Sequence, residues 1–174
     1  MPYFEVGLIF FLIIINGLLA MAELAIASSR MVRLRILADR GVRGARRAIA
    51  LASDPGRFLS TVQIGITLIG IAAGAFSGAT LGARVSDWLL DWGMSEQIAE
   101  MIGFGSVIGI ITYLSLIIGE LVPKQLALRD PERIACLVAP PMTILAKIAR
   151  PLVTLIDFSG KAILSLSWTG SCSR

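Results

Sequence analysis

The chain has 174 residues, 56% hydrophobic and only 16% charged, with 16 Lys and Arg against 12 Asp and Glu and no histidine. Soluble domains carry about 25% charged residues; here the shortfall is gathered into long uncharged runs, which argues against a cytosolic globular enzyme. Without histidine there is no usual general base, no Ser–His or Cys–His nucleophile and no imidazole for zinc, and Cys136 and Cys172 are too few for a disulfide framework.

In chain order, Val6–Ala22 comes first, 17 residues with Asn16 as the one strongly polar member. Extended to about 4–28 it is long enough to cross a bilayer, which takes roughly 20 apolar residues. Ala20-Met21-Ala22 has the small-residue form of a signal cleavage site, but Met1–Glu5 holds no Lys or Arg and the arginines follow the apolar run. That charge order is the reverse of a signal peptide's, so the segment reads as a retained helix. Residues 30–57 then hold eight arginines (Arg30, Arg33, Arg35, Arg40, Arg43, Arg46, Arg47, Arg57) against Asp39 and Asp54, interleaved with Leu34, Ile36, Leu37, Ile49 and Leu51. This composition suits helices over about 30–53 lying on an anionic lipid surface. A nucleic-acid groove is disfavoured because no aromatic residue lies between Arg30 and Arg57.

Asp54 and Pro55 predict a helix start, as cap and first-turn residue. Phe58–Leu81 follows with 24 uncharged residues and Met101–Gly119 with 19, predicting spans at about 58–82 and 99–122. Ile134–Ala146 is uncharged for 13 residues and contains Pro140 and Pro141. Its length and prolines predict a kinked interfacial helix over 131–160 rather than a fourth crossing, followed by a tail at 161–174. The fold class expected is an all-α membrane protein with three transmembrane helices. Arg84 alone faces Asp87, Asp91 and Glu96 between the second and third spans, whereas Lys124, Arg129, Arg133, Lys147 and Arg150 follow the third. The bias of Lys and Arg toward the cytoplasm puts the N-terminus outside and the C-terminus inside a plasma (inner) membrane.

The spans carry polar rows. Ser60, Gln63, Thr67, Gly70, Gly74 and Ser77 recur at helical spacing, as do Asn16, Ala20, Glu23 and Ala27, and Gly105, Gly109, Thr112, Leu116 and Glu120. Small residues on such faces serve helix packing. Glu120 asks for more: an ionisable group at membrane depth costs a few kcal/mol or more, about 3 on insertion scales, unless it meets a cavity, an ion or a partner. It either serves a cation or pairs with Lys124 as an interfacial carboxylate. Pro123 takes away the amide that the Gly119 carbonyl would otherwise accept from, and a freed carbonyl beside a carboxylate is how transporters build cation sites. Carboxylate, carbonyl and hydroxyl oxygens suit hard ions such as Mg²⁺ or Na⁺.

Three separated motifs, Asn16-Gly17-Leu18-Leu19-Ala20-Met21-Ala22-Glu23-Leu24-Ala25, Phe58-Leu59-Ser60-Thr61-Val62-Gln63-Ile64-Gly65-Ile66-Thr67-Leu68 and Gly119-Glu120-Leu121-Val122-Pro123-Lys124, occur in that order over about residues 4–160. With them the chain resembles the transmembrane domain of the CorC/cyclin M (CNNM) magnesium-transporter family, whose bacterial members are also called hemolysin-like. The resemblance implies three spanning helices, a proline-rich belt helix, a homodimer, and export of Mg²⁺ coupled to Na⁺ entry. It implies a metal site built from Glu120, the Gly119 carbonyl and Ser60, Gln63 or Thr67, with Glu23 and Asn16 nearby and Pro123 as the structural kink. Many members carry a serine near Ala20 or Ala22, where this chain has alanine. Members continue into cytoplasmic CBS domains that bind ATP, and residues after Ile156 are too few for one. The rival readings are a membrane anchor or assembly module whose glycine faces only pack helices, and an intramembrane enzyme, for which no nucleophile–base pair exists.

Overall fold

The computed structural model describes residues 2–168, and within them there is no strand. Helix α1 (Pro2–Ser28) is followed by two short helices, α2 (Met31–Asp39) and α3 (Ala45–Ser53). Helix α4 (Pro55–Ser77) passes through a π-helical turn at Gly78–Gly82 into α5 (Ala83–Asp91), one unbroken rod. Helix α6 (Glu96–Leu116) likewise passes through a π turn at Ile117–Leu121 into α7 (Val122–Arg129), and α8 (Pro131–Trp168) is the last described helix. Asp54 caps α4 as expected, its carboxylate accepting the Arg57 backbone N–H at 3.4 Å with Pro55 in the first turn.

Four helical stretches are long and apolar enough to cross a membrane: Tyr3–Ser28, Pro55–Asp91, Glu96–Arg129 and Pro131–Ile156. The fourth covers the segment expected to form a kinked interfacial helix, and departs from that expectation in being continuous and of spanning length. Pro140, Pro141 and Pro151 all lie inside a continuous helix. Neighbouring helices can satisfy or shield the carbonyls that prolines set free, and here the freed Cys136 carbonyl faces Gly44 so closely that a Cβ there would lie 2.0 Å from its oxygen. Gly44, at φ +85° in the left-handed region, is therefore required twice over. The tight α2–α3 turn is clamped against α8 at that point. Residues 161–168 continue α8, and 169–174 lie outside the described residues.

The three long rods alternate in direction. At one end Arg84 of α5 pairs with Glu5 of α1 at 2.8 Å. At the other end Glu132, almost wholly buried, accepts the Arg30 backbone N–H at 3.4 Å and stands 3.8 Å from the Arg33 guanidinium. Helix α1 is the central element. Ala20, Ala22 and Ala25 are fully buried there, so small side chains bring α4, α7 and α8 close around it. The core continues through Leu34, Ala45, Ala48, Phe58, Val62, Ala135 and Ala139. On α6, by contrast, Ile102, Ile108, Ile110 and Tyr113 point outward. That apolar surface has hydrocarbon as its natural solvent.

Candidate functional site

The site forms where α1 crosses the second π turn. Gly17 on α1 and Gly119 in the turn face one another across the contact: a Cβ on Gly17 would meet Pro123 at 3.0 Å and the Ile118 carbonyl at 3.1 Å, and one on Gly119 would meet the Asn16 amide nitrogen at 3.2 Å. Two absent side chains thus let the backbones touch. The turn itself widens the helix by one residue, with the Val122 N–H donating to the Ile117 carbonyl five residues back. Pro123 follows directly, and the Gly119 carbonyl, four residues before it, accepts from Asn16 Nδ2 at 3.2 Å. An α1 side chain thus holds the Gly119 carbonyl.

Glu120 opens onto a cavity of about 200 Å³, lined also by Asn16 of α1, Ile66, Gly70 and Gly74 of α4, and Ile111, Thr112, Ser115 and Leu116 of α6. Asn16 Oδ1 is buried there without a hydrogen-bond partner. The amide's orientation is fixed by the Gly119 carbonyl, which needs the NH₂ group, so the orphan is an acceptor. A buried acceptor beside a carboxylate leaves room for a cation or a donor. Lys124 supplies the positive charge present: its ammonium lies 2.6 Å from Glu120 Oε1 and 4.0 Å from Glu23 Oε2. Glu120 thus lines a cavity and pairs with Lys124 in one place.

The sequence-derived site divides in two. Asn16, Gly119, Glu120 and, through Lys124, Glu23 come together. Ser60, Gln63 and Thr67 instead line a separate cavity of about 520 Å³ with Ile64, Leu68, Leu152 and Ile156, between α4 and α8. A row spaced alternately 3 and 4 residues falls short of whole turns and drifts by about 20° per seven residues. Its far end, Gly70 and Gly74, consequently reaches the Glu120 cavity while its near end turns toward α8. Opposite the row Val62 and Ala73 are buried, as is Ser77 at the end of the row itself. Ser115 went unread because it stands five residues before Glu120, off the regular helical row; the π turn brings that spacing onto one side. An apolar helix interrupted by Gly-Glu-Leu-Val-Pro is the signal that could have revealed it. Among the described residues no group of three or more Asp, Glu, Cys or His side chains could hold a metal ion. Any hard cation here would take one or two carboxylates plus neutral oxygens and water, the pattern Mg²⁺ accepts.

Away from this site, Arg43, Arg46 and Arg47 border a cavity of about 490 Å³ in the α2–α3 turn, closed on one side by Pro140. This places the arginine-rich segment at one end of the bundle, beside α8.

Residues 7–170 match the family model for the cyclin M transmembrane N-terminal domain. The chain is 49% identical over 162 residues to the UPF0053 protein sll0260 of Synechocystis, covering 93% of this chain and 36% of that protein. It is 32% identical over 158 residues to the polyamine export protein of Salmonella typhimurium, covering 91% and 35%. To the polyamine export protein of Escherichia coli it is 29% identical over 142 residues, covering 82% and 32%. The chain spans about a third of the length of these relatives.

Proposed function

The chain belongs to the cyclin M transmembrane-domain family of multi-pass membrane proteins, and from that premise we propose that it is the membrane part of a secondary transporter that exports Mg²⁺, driven by Na⁺ entry. The observation that carries this reading is the orphaned Asn16 Oδ1 beside Glu120 in a cavity shared by three long helices. Glu120 would supply the charge, and Asn16 Oδ1, Thr112 and Ser115 the neutral oxygens, to a partly hydrated ion. A π turn and a proline at the site provide the irregular backbone on which transporters build such cavities. With three crossings and α8 at the interface, the Lys/Arg bias supports an outside N-terminus and cytoplasmic C-terminus in the inner membrane. A homodimer, and CBS domains carrying any ATP site in the longer protein, follow from the family resemblance. With no histidine in the chain we assign it no chemical step.

A second reading takes a polyamine as cargo. Two of the relatives named above are polyamine export proteins, and the site already holds a primary ammonium, that of Lys124, against Glu120 and near Glu23. Polyamines end in the same group. The test is flux from proteoliposomes loaded with Mg²⁺ or spermidine, with and without an opposing Na⁺ gradient, for wild type and Glu120→Gln. Na⁺-dependent Mg²⁺ efflux that Glu120→Gln abolishes is the expected outcome; spermidine efflux alone would replace the cargo. Absence of both fluxes would favour an anchor or assembly module.

A further inference from the structure

Lys124 does something that a surface ion pair does not. Its ammonium touches Glu120 on its own helix and stands within reach of Glu23 on α1, bridging two carboxylates from different elements. Among the described residues it is the one basic side chain within ion-pair distance of either. An isolated pair at i, i+4 on a wet helix contributes little and needs no further role, but two acids at membrane depth without a counter-charge are costly. A cation bound to Glu120 competes with an ammonium 2.6 Å from Oε1, because the two positive charges repel across one carboxylate. The lysine stem is flexible and its side chain is about one-third exposed, so the head group has somewhere to go while Pro123 anchors its backbone.

We infer that Lys124 is a tethered counter-cation, pairing with Glu120 and partly offsetting Glu23 while cargo is absent and displaced when cargo binds, so that it sets the affinity of the site. The inference rests on the reading of Glu120 as the cation site. A site whose binding-competent state is only partly populated shows an affinity reduced by that fraction; the lysine-bound state is the competitor here. It also lets the empty transporter rearrange without leaving Glu120 unpaired.

The experiment titrates the purified protein in detergent with MgCl₂ and, separately, spermidine, reading thermal stability for wild type, Lys124→Met, Lys124→Gln and Glu120→Gln. In parallel, reductive methylation of the Lys124 amine is quantified by mass spectrometry as the cation rises. The half-saturating cation concentration is expected to fall at least tenfold in both lysine variants, and Lys124 labelling in wild type to rise at least twofold at saturation. Unchanged labelling, or an unmoved midpoint in either folded lysine variant while Glu120→Gln abolishes the response, would overturn the tether and leave the site standing. A response that survives Glu120→Gln, or none in wild type with either cation, would overturn both.

Discussion

Replacing Asn16 by leucine, close to it in shape, removes two polar atoms with opposite effects. Loss of the Nδ2 donor leaves the Gly119 carbonyl, held at 3.2 Å, without that bond, and a buried unpaired group costs about 1–3 kcal/mol. Loss of Oδ1 removes an acceptor that is itself buried and unpaired, recovering a similar about 1–3 kcal/mol. The cation-free protein should therefore change in stability by less than about 1 kcal/mol, near the average of about 0.6 kcal/mol measured for polar contacts between membrane helices. Cation binding should respond differently if, as proposed, Oδ1 is a ligand. Loss of even an outer partner costs a metal site about 10- to 100-fold. A tenfold loss lowers the stabilisation from about 2.7 kcal/mol, at a concentration 100 times the wild-type Kd, to about 1.4 kcal/mol. For a chain of this size that difference is about 3–5 °C in Tm. Thermal unfolding in detergent with and without saturating Mg²⁺ reads both numbers. An unaltered Mg²⁺-induced shift would refute the role given to the orphaned oxygen, whatever happened to the cation-free Tm.

Gly103→Ala should destabilise by about 1–3 kcal/mol through overpacking, since its Cβ would lie 2.8 Å from the Gly82 carbonyl and the Ser86 nitrogen, whereas Gly109→Ala meets nothing within 4 Å and should be tolerated; melting temperatures of the two variants decide it. Gly44→Ala combines a left-handed φ with a collision against the Cys136 carbonyl and should cost more than Gly41→Ala, where only the left-handed φ of +73° opposes a side chain, at about 1–2 kcal/mol. Hydrogen exchange in α3 and α8 should rise for the first variant alone. Gln63→Ala should leave the Mg²⁺-induced thermal shift unchanged, because Gln63 lines the α4–α8 cavity, while Thr112→Val in the Glu120 cavity should reduce it. The opposite ranking would return the site to the middle of α4.

Much of the site's chemistry was legible in particular residues. Glu120 stood out because carboxylates are scarce in apolar runs, and Pro123 pointed at the Gly119 carbonyl because a missing N–H is a certainty of covalent structure. Asp54 and Pro55 marked a helix start through local bonding alone. Harder to read was the company these residues keep. Ser60, Gln63 and Thr67 share a face with Gly70 and Gly74, yet the slow rotation of that face sends them into different cavities. Ser115 joins Glu120 through a π turn whose extra residue no regular period anticipates. Pro140 and Pro141 argue against a continuous helix when considered by themselves, and α8 nevertheless runs through both.

The amino-acid order by itself determined that this is a helical membrane chain, where the first three of its four long apolar helices run, and which carboxylate within them is out of place. Those properties sum along the chain: hydropathy, charge bias and the absence of an amide on proline need no partner. Tertiary structure alone decided that Asn16 holds the Gly119 carbonyl, that Lys124 bridges Glu120 to Glu23, and that the α4 hydroxyls lie elsewhere. Such meetings depend on how each helix is rotated about its axis and on how closely Gly17 and Gly119 let two backbones approach, and packing fixes both only once all the helices are assembled.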